Sequence, residues 1–154
     1  MADGNPGPAQ DRAGWLILLL DRDALGASGP EELDPVRVQK GMFLLSERGP
    51  ARGLYKFRAY DWGPFSSAIY GDLEAMTRQG YLDELQQPGR TWSMYRVTPS
   101  GHELASGMAR QIGDANVGWL RSAREFLTTR SFAQLLRDIY EEYPDFAVNS
   151  RFSG

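Results

Sequence analysis

The stretch GPFSSAIYGDLEAMTRQGYLDELQQPGRTWSMYRVTPSG, residues 63–101, carries the clearest structural pattern in this chain of 154 residues. From Phe65 to Met76, apolar side chains recur at intervals of four, four and three residues, which predicts an amphipathic helix that ends at Gly80. Two short runs of strand-forming residues then flank Pro88-Gly89-Arg90, which predicts a β-hairpin with a tight loop. A helix followed by a hairpin is therefore the predicted centre of the fold.

The residues before this centre predict two helices. A first helix is expected over residues 11–25, and its apolar run from Trp15 to Leu20 indicates burial on every side. Asp34-Pro35 is typical of an N-cap followed by the first helical residue, and the second helix should run to about Arg48 with one apolar and one solvated side. A short aromatic segment over residues 53–60, extended or irregular, then leads into a turn.

The residues after the hairpin predict three more helices. They are expected from Thr98 to Ile112, near residues 117–129, and from Ser131 to the proline at 144. The last of these has a broad apolar face between Phe132 and Tyr143, which is typical of core packing or of a dimer contact.

Composition narrows the class of function. The chain contains no cysteine and a single histidine, His102, so disulfides, thiolate sites and multi-histidine metal sites are excluded. No phosphate-binding loop, dinucleotide fingerprint or nucleophile elbow is present. We therefore expect no enzyme activity, no catalytic residue, no metal and no cofactor. The longest apolar run is too short to span a membrane, and the N-terminus lacks a secretory signal, so the sequence predicts a cytoplasmic protein without membrane contact.

The order helix, helix, short strand, helix, hairpin, helix is that of a winged helix. At Gly80-Tyr81-Leu82 and at Tyr95-Arg96-Val97-Thr98, the sequence resembles bacterial winged-helix regulators of the PadR and MarR kind. The resemblance covers residues 34–105 and implies an α+β, mainly helical fold, a winged helix-turn-helix with additional N- and C-terminal helices. The expected organisation is a disordered tail over 1–10, a winged-helix-like domain over 11–112, C-terminal helices over 113–146 that pack on it or dimerise, and a tail over 147–154.

A second resemblance rests on Arg37-Val38-Gln39-Lys40, on Tyr60-Asp61-Trp62-Gly63-Pro64-Phe65-Ser66 and on Ile139-Tyr140 near the end. These residues resemble a family of small uncharacterised bacterial and archaeal proteins. They are also similar to the Panacea-domain antitoxins, which share a Leu-Gln-Lys helix and an aromatic-x-Gly-Pro turn. This chain departs from that family where Phe65 follows the Gly-Pro pair, at a position commonly occupied by valine. The resemblance implies an interaction role rather than chemistry.

Charge distribution locates a candidate nucleic-acid surface. The whole chain has a net charge of −3, but residues 36–110 hold ten basic and seven acidic side chains, a net +3, while residues 1–35 have a net −5. The preferred prediction is therefore a winged-helix protein that binds double-stranded DNA, acts as a transcriptional regulator and forms a homodimer. Its candidate DNA-binding residues lie on the second and third helices and at the hairpin tip: Arg37, Lys40, Ser66, Ser67, Tyr70, Thr77, Arg78 and Arg90.

The alternative prediction is a non-enzymatic protein-interaction module, antitoxin-like, that uses the same scaffold to hold a protein partner. Its candidate partner-binding residues are Trp92, Met94 and Tyr140. Since side chains alternate along a strand, either Trp92 and Met94 or their neighbours must point away from the core. The interaction hypothesis requires an exposed Trp92. A pocket for a small ligand among the tyrosines and tryptophans is a third possibility.

Overall fold

The computed structural model describes residues 11–150, so the predicted tails over 1–10 and 151–154 lie outside the described residues. It confirms a mainly helical α+β chain. The helices are α1 (Arg12–Leu20), α2 (Arg22–Leu25), α3 (Pro35–Arg48), α4 (Ser67–Arg78), α5 (Pro99–Ile112), α6 (Asp114–Thr128) and α7 (Phe132–Glu142), followed by a 3₁₀ turn over Pro144–Ala147. Two antiparallel hairpins pair β1 (Arg58–Tyr60) with β2 (Gly63–Phe65) and β3 (Leu82–Gln86) with β4 (Ser93–Val97).

The apolar first helix lies at the centre of the fold. Residues 14–20 are buried, and α1 contacts α3, α5 and α6. The prediction of one helix over 11–25 was wrong, because the chain bends at Asp21. The Asp21 carboxylate accepts a hydrogen bond from the backbone N–H of Ala24 and so caps a second, short helix α2.

Helix α3 begins as expected, because the Asp34 side chain accepts a hydrogen bond from the backbone N–H of Arg37. The middle of α3 differs from the prediction, which gave the helix one apolar and one solvated side. Every residue from Val38 to Ser46 is buried, since α6, β2 and α1 cover α3 on several sides. Lys40, which the sequence places on a solvated side, is therefore inside the protein.

The hairpin β3–β4 has a third chain segment at its edge. Leu33 pairs with Tyr95 in an antiparallel bridge, with both backbone hydrogen bonds formed at 3.1 and 2.9 Å. The segment that precedes α3 is thereby fixed to β4. Helix α4 packs against β3, the other strand of the hairpin.

Helices α6 and α7 contribute buried residues to the core. Leu120 and Leu127 on α6 and Leu135 and Leu136 on α7 are fully buried, and α6 contacts α1, α2, α3 and α5. Two residues of the expected C-terminal tail are also in contact with the fold, since Asn149 Nδ2 donates to the carbonyl of Ala59 and Ser150 accepts from the Tyr140 hydroxyl. Over residues 11–150, no helix has both the length and the apolar content needed to cross a membrane.

Candidate functional site

A groove of about 510 Å³ runs between the start of α3, the β1–β2 turn, α4, the β3–β4 loop and α7. We call it the aromatic groove. Its lining residues are Asp34, Pro35, Val36, Arg37, Trp62, Tyr70, Arg90, Trp92 and Phe132. Three of the largest exposed apolar side chains of the described residues, Trp62, Tyr70 and Trp92, belong to it, each 39–41% exposed. A clustering of large aromatic side chains in one concave surface is typical of a binding site.

A smaller cavity of about 90 Å³ adjoins the aromatic groove and shares Val36, Trp62 and Tyr70 with it. We call it the inner pocket. Its other lining residues are Gln39, Lys40, Tyr60, Gly63 and Phe65. The inner pocket therefore combines aromatic walls with the amino group of one buried lysine.

Two polar residues of α3 fix the backbone around these cavities. The Gln39 amide donates to the carbonyl of Ser66 and accepts from the backbone N–H of the same residue, both at 2.9 Å. Lys40 Nζ donates to the carbonyl of Pro64 at 3.2 Å. Because these hydrogen bonds are buried, they hold β2 and the start of α4 firmly on α3.

Ring contacts fix the exposed aromatic side chains. Trp62 meets Phe132 edge to face at 5.6 Å between ring centroids. The Arg90 guanidinium lies 5.6 Å from the ring of Trp92, within the range of a cation–π contact. Tyr60, the fourth exposed aromatic residue of this surface, stacks on Phe65. The site is thus largely preformed, which reduces the entropy lost on binding.

Three of the predicted DNA-binding residues do not lie at a free surface. Lys40 and Ser66 are buried, 2% and 5% exposed. The half-buried Arg37 guanidinium donates to the Asp34 carboxylate and to the carbonyls of Leu127 and Arg130. These three residues were expected to contact DNA from the helix surface, and the structure instead assigns them to the packing between α3 and its neighbours.

Two arginines of α6 are directed at backbone carbonyls in the same way as Arg37. Arg124 donates to the carbonyls of Leu19, Pro30 and Glu31, and Arg121 Nε donates to the carbonyl of Leu25. Together with Arg37, these side chains bind carbonyls at the C-terminal ends of α1, α2 and α6, where backbone acceptors lack partners and the helix dipole is negative. Their charges complement helix ends and are not presented to a ligand.

The other predicted DNA-binding residues remain accessible. Ser67, Tyr70, Arg78 and Arg90 are exposed, and Thr77 is half-buried. Arg78 forms an ion pair with Glu74 on the next turn of α4, and the Thr77 hydroxyl donates to the carbonyl of Leu73. The exposed side of α4 therefore presents one paired arginine and one tyrosine, and Tyr70 and Arg90 face the aromatic groove.

The three predicted partner-binding residues do not lie on one surface. Trp92 is exposed in the aromatic groove, and Met94, half-buried, follows it on the same side of β4, while the alternate residues Ser93 and Tyr95 are buried. The exposure that the interaction hypothesis requires of Trp92 is present. Tyr140 lies elsewhere, with its hydroxyl 2.7 Å from Ser150 Oγ, and contributes to the attachment of the C-terminal segment.

Sequence reasoning missed Trp62, Phe132 and Tyr60 as candidate site residues. The sequence indicates only a turn after residues 53–60. The available signal was a tryptophan placed immediately before the turn-forming pair Gly63-Pro64, and the structure has Trp62 at the tip of the β1–β2 hairpin. Large apolar side chains at hairpin tips are commonly exposed, because a two-residue turn has no core on its outer side.

A basic cleft of about 430 Å³ lies at the N-terminal end of α4. Arg12, Lys56, Arg58 and Ser67 are among its lining residues. Arg12 forms an ion pair with Asp72 at 2.8 Å, and the exposed Arg58 lies over the ring of Tyr60. The free backbone amides of a helix start favour an anion in this position.

Asp21, His102 and Ser106 contact one another in the sequence Asp–His–Ser, as in a hydrolase triad. Asp21 Oδ2 is 2.7 Å from His102 Nδ1, and His102 Nε2 is 3.4 Å from Ser106 Oγ. No sequence motif predicts this cluster. Ser106 lies in the middle of α5, where backbone N–H groups bond within the helix, so that none faces Ser106 Oγ as an oxyanion hole requires. The other Asp21 oxygen caps α2, which accounts for its burial.

Comparisons of this chain with protein-family models, with curated proteins and with solved structures found no match.

Proposed function

We propose that this chain is a protein-interaction module in which a winged-helix-like scaffold holds a segment of a protein partner in the aromatic groove. The observation that carries the proposal is the convergence of Trp62, Tyr70 and Trp92 on one preformed cavity, with Arg90 beside them. Tryptophan, tyrosine and arginine dominate binding energy at protein interfaces, where they act as anchors in well-packed pockets.

The order of elements supports the scaffold. Helix α3, helix α4 and the hairpin β3–β4 follow one another as the second helix, third helix and wing of a winged helix. The β1–β2 hairpin occupies the place of the short strand between α3 and α4, and Leu33 pairs with Tyr95 beside the wing. The aromatic groove then lies beside the third helix and the wing, the two elements with which a winged helix reads its ligand.

The charges of the aromatic groove favour an acidic segment. Arg90 lines it and Lys40 lies at the adjoining inner pocket, while Asp34, the one carboxylate of the lining, is paired with Arg37. The groove is lined by several elements of the fold, so an extended peptide with a large apolar side chain can contact more of its lining than a compact ligand. We therefore take an acidic, extended segment of another protein as the occupant.

Removal of an anchoring ring tests this proposal. Peptides are first selected from a displayed random library on the full chain. We expect Trp62→Ala and Trp92→Ala each to weaken the selected peptides by about 30-fold or more, because loss of an interface anchor costs at least about 2 kcal/mol. Fluorescence anisotropy of a labelled peptide measures the dissociation constant.

Leu104→Ala is the matched control, since Leu104 is 42% exposed on α5 and does not line the groove. Its affinity for the peptide should equal that of the unaltered chain. If Trp62→Ala and Trp92→Ala bind the peptide as tightly as the unaltered chain does, the proposal is contradicted. Concentration-dependent sedimentation of the free chain, reversed by Trp92→Ala, would identify a second copy of the chain as the occupant instead.

Double-stranded DNA is the second candidate, and the basic cleft at the start of α4 favours it. Lys56 and Arg58 are exposed in that cleft, and Ser67 lies at the helix start beside them. Phosphate contacts in such a position would orient α4 towards a groove of the duplex.

A salt titration tests DNA binding. If a duplex binds at low ionic strength, the double variant Lys56→Ala/Arg58→Ala should lose affinity for every sequence to a similar extent. The slope of log K against log salt should fall by about two, one for each phosphate contact. Arg137→Ala, which removes an exposed charge on α7, is the control. Absence of salt-sensitive retention of the unaltered chain on a duplex would exclude this candidate.

A further inference from the structure

Lys40 is a buried cation whose amino group lies at the inner pocket. Its side chain is 2% exposed, and the backbone of Gly63 covers it closely. A Cβ atom at Gly63 would lie 2.9 Å from Lys40 Cε and 3.3 Å from Nζ, and Gly63 has a φ of 92°. A side chain at position 63 is therefore disfavoured both by its close approach to Lys40 and by the positive φ, and glycine allows the backbone to lie directly against the end of the lysine.

The ammonium group is incompletely hydrogen-bonded by the protein. It has three N–H donors, and the structure shows one hydrogen bond, to the carbonyl of Pro64. The Gln39 amide oxygen and nitrogen are both engaged with the Ser66 backbone, and the other walls of the pocket are mainly aromatic. A buried ammonium needs further acceptors to stay charged.

We propose that the inner pocket is a carboxylate-binding subsite, in which an acidic side chain of the segment held in the aromatic groove accepts hydrogen bonds from Lys40 Nζ. The inference rests on the proposed function and specifies the chemistry of the partner at one position. The cavity of about 90 Å³ exceeds the space that a single ordered water needs and is of the order of a carboxylate group. Since Val36, Trp62 and Tyr70 line both cavities, one residue of the segment enters the pocket while its neighbours stay in the groove.

Proton linkage follows from the burial of the lysine. Burial lowers the pKa of Lys40 to about 7, against an opposing attraction from Asp34. A bound carboxylate favours the ammonium form, so above pH 7 binding requires uptake of a proton. We therefore expect the affinity for a carboxylate to fall by about tenfold per pH unit above 7.

The charged and titratable groups around Lys40 are Asp34 at the N-cap of α3, Arg37 on α3, Tyr60 on β1 and Tyr70 on α4. Burial raises the pKa of Tyr70, which keeps this phenol neutral where Lys40 titrates. The pH dependence of binding above pH 7 therefore reports on Lys40.

The chain contains two lysines, Lys40 and Lys56, so ¹³Cε-lysine NMR resolves each of them. The probes are 3-phenylpropionate and its uncharged amide, 3-phenylpropionamide. We expect the acid to raise the midpoint of the Lys40 titration by about 1–3 pH units, as a nearby opposite charge does, and the amide to leave it unchanged. The Lys40→Met variant, which lacks the Lys40 signal, is the control that assigns the two lysine signals. An unchanged Lys40 midpoint with bound 3-phenylpropionate, or no binding of that acid, would overturn the inference.

A second arm uses a display-selected peptide and its twin with every Asp and Glu changed to Asn and Gln. The acidic peptide should shift the Lys40 midpoint and bind at least tenfold more tightly than its twin at pH 6.5. Lys40→Met should abolish that preference. If the peptide depends on Trp62 but does not move Lys40, the subsite is refuted and the proposed function stands. If 3-phenylpropionate moves Lys40 but no peptide binds, the occupant is a small carboxylate, and both the segment and the proposed function are refuted.

Discussion

Replacement of Arg124 by methionine should lower the free energy of unfolding by about 3–4 kcal/mol. The Arg124 side chain is fully buried on α6 and donates to three backbone carbonyls, those of Leu19, Pro30 and Glu31. Methionine fills similar space but donates no hydrogen bond, so three acceptors lose a charged donor inside the protein. Leu19 is in the last turn of α1, where its carbonyl has no partner within the helix.

Burying the charge of Arg124 costs solvation free energy, and Arg124→Met removes that cost, which partly offsets the loss of stability. Burial lowers the pKa of Arg124 to about 10, so the guanidinium remains protonated at neutral pH at some cost in solvation. Urea denaturation followed by circular dichroism at pH 7 measures the change. Arg137→Met removes an exposed arginine from α7 and should change stability by less than about 0.5 kcal/mol. A loss below about 1 kcal/mol in Arg124→Met would show that the carbonyls find other donors.

Replacement of Gly101 by alanine should cost about 3 kcal/mol. Gly101 lies in the first turn of α5, directly against the chain that enters β3. An added Cβ would lie 2.1 Å from the backbone oxygen of Tyr81 and 2.9 Å from a methyl group of Val97. A backbone oxygen cannot rotate away as a flexible side chain does, so the contact is relieved only when α5 moves off the hairpin.

That movement would also disturb the capping of α5, because Thr98 Oγ1 accepts from the backbone N–H of Gly101 and the backbone N–H of Thr98 donates to the carbonyl of Tyr81. Gly107→Ala is the matched control on the same helix, where an added Cβ meets nothing closer than 3.9 Å. It should gain about 0.5–1 kcal/mol, as alanine does over glycine inside a helix. Thermal unfolding of both variants separates them, and a neutral Gly101→Ala would contradict the close approach of α5 to the hairpin.

The local elements of this fold follow from local sequence signals. Asp34-Pro35 begins α3, Pro88-Gly89-Arg90 separates β3 from β4, and Ser131 caps α7 in a capping box with Gln134. In each case, the residues that determine the element lie within a few positions of one another, so a single sequence suffices to predict it.

The burial of polar residues depends on contacts that are distant in sequence. Lys40 is buried because β2 lies against α3, where the Pro64 carbonyl, 24 residues away, accepts a hydrogen bond from Lys40 Nζ. Arg37 turns inward because the end of α6 brings the Leu127 carbonyl to it, 90 residues away. Neither contact affects the spacing of apolar residues in α3, which is why both residues were predicted to lie on a solvated side.

The aromatic groove was predictable only in part. Alternation along β4 correctly indicates that Trp92 and Met94 share one side of the strand, and Trp92 was identified as a candidate. That Trp62 and Phe132 would join Trp92 depends on the tertiary placement of the β1–β2 turn and α7. The residues that line the aromatic groove come from five separate parts of the chain.

The hydrogen bonds that Arg124 and Arg121 donate to the ends of α1 and α2 also constrain the order in which the protein folds during its synthesis. Arg124 and Arg121 reach the ends of α1 and α2 across 105 and 96 residues of sequence. Until α6 has left the ribosome, the carbonyls of Leu19 and Leu25 lack these arginine donors, while α3 and α5 already cover part of the apolar run from Trp15 to Leu20. Helix α1 is therefore made before α6 and completed only with it, and its apolar run is only partly protected from aggregation in the interval.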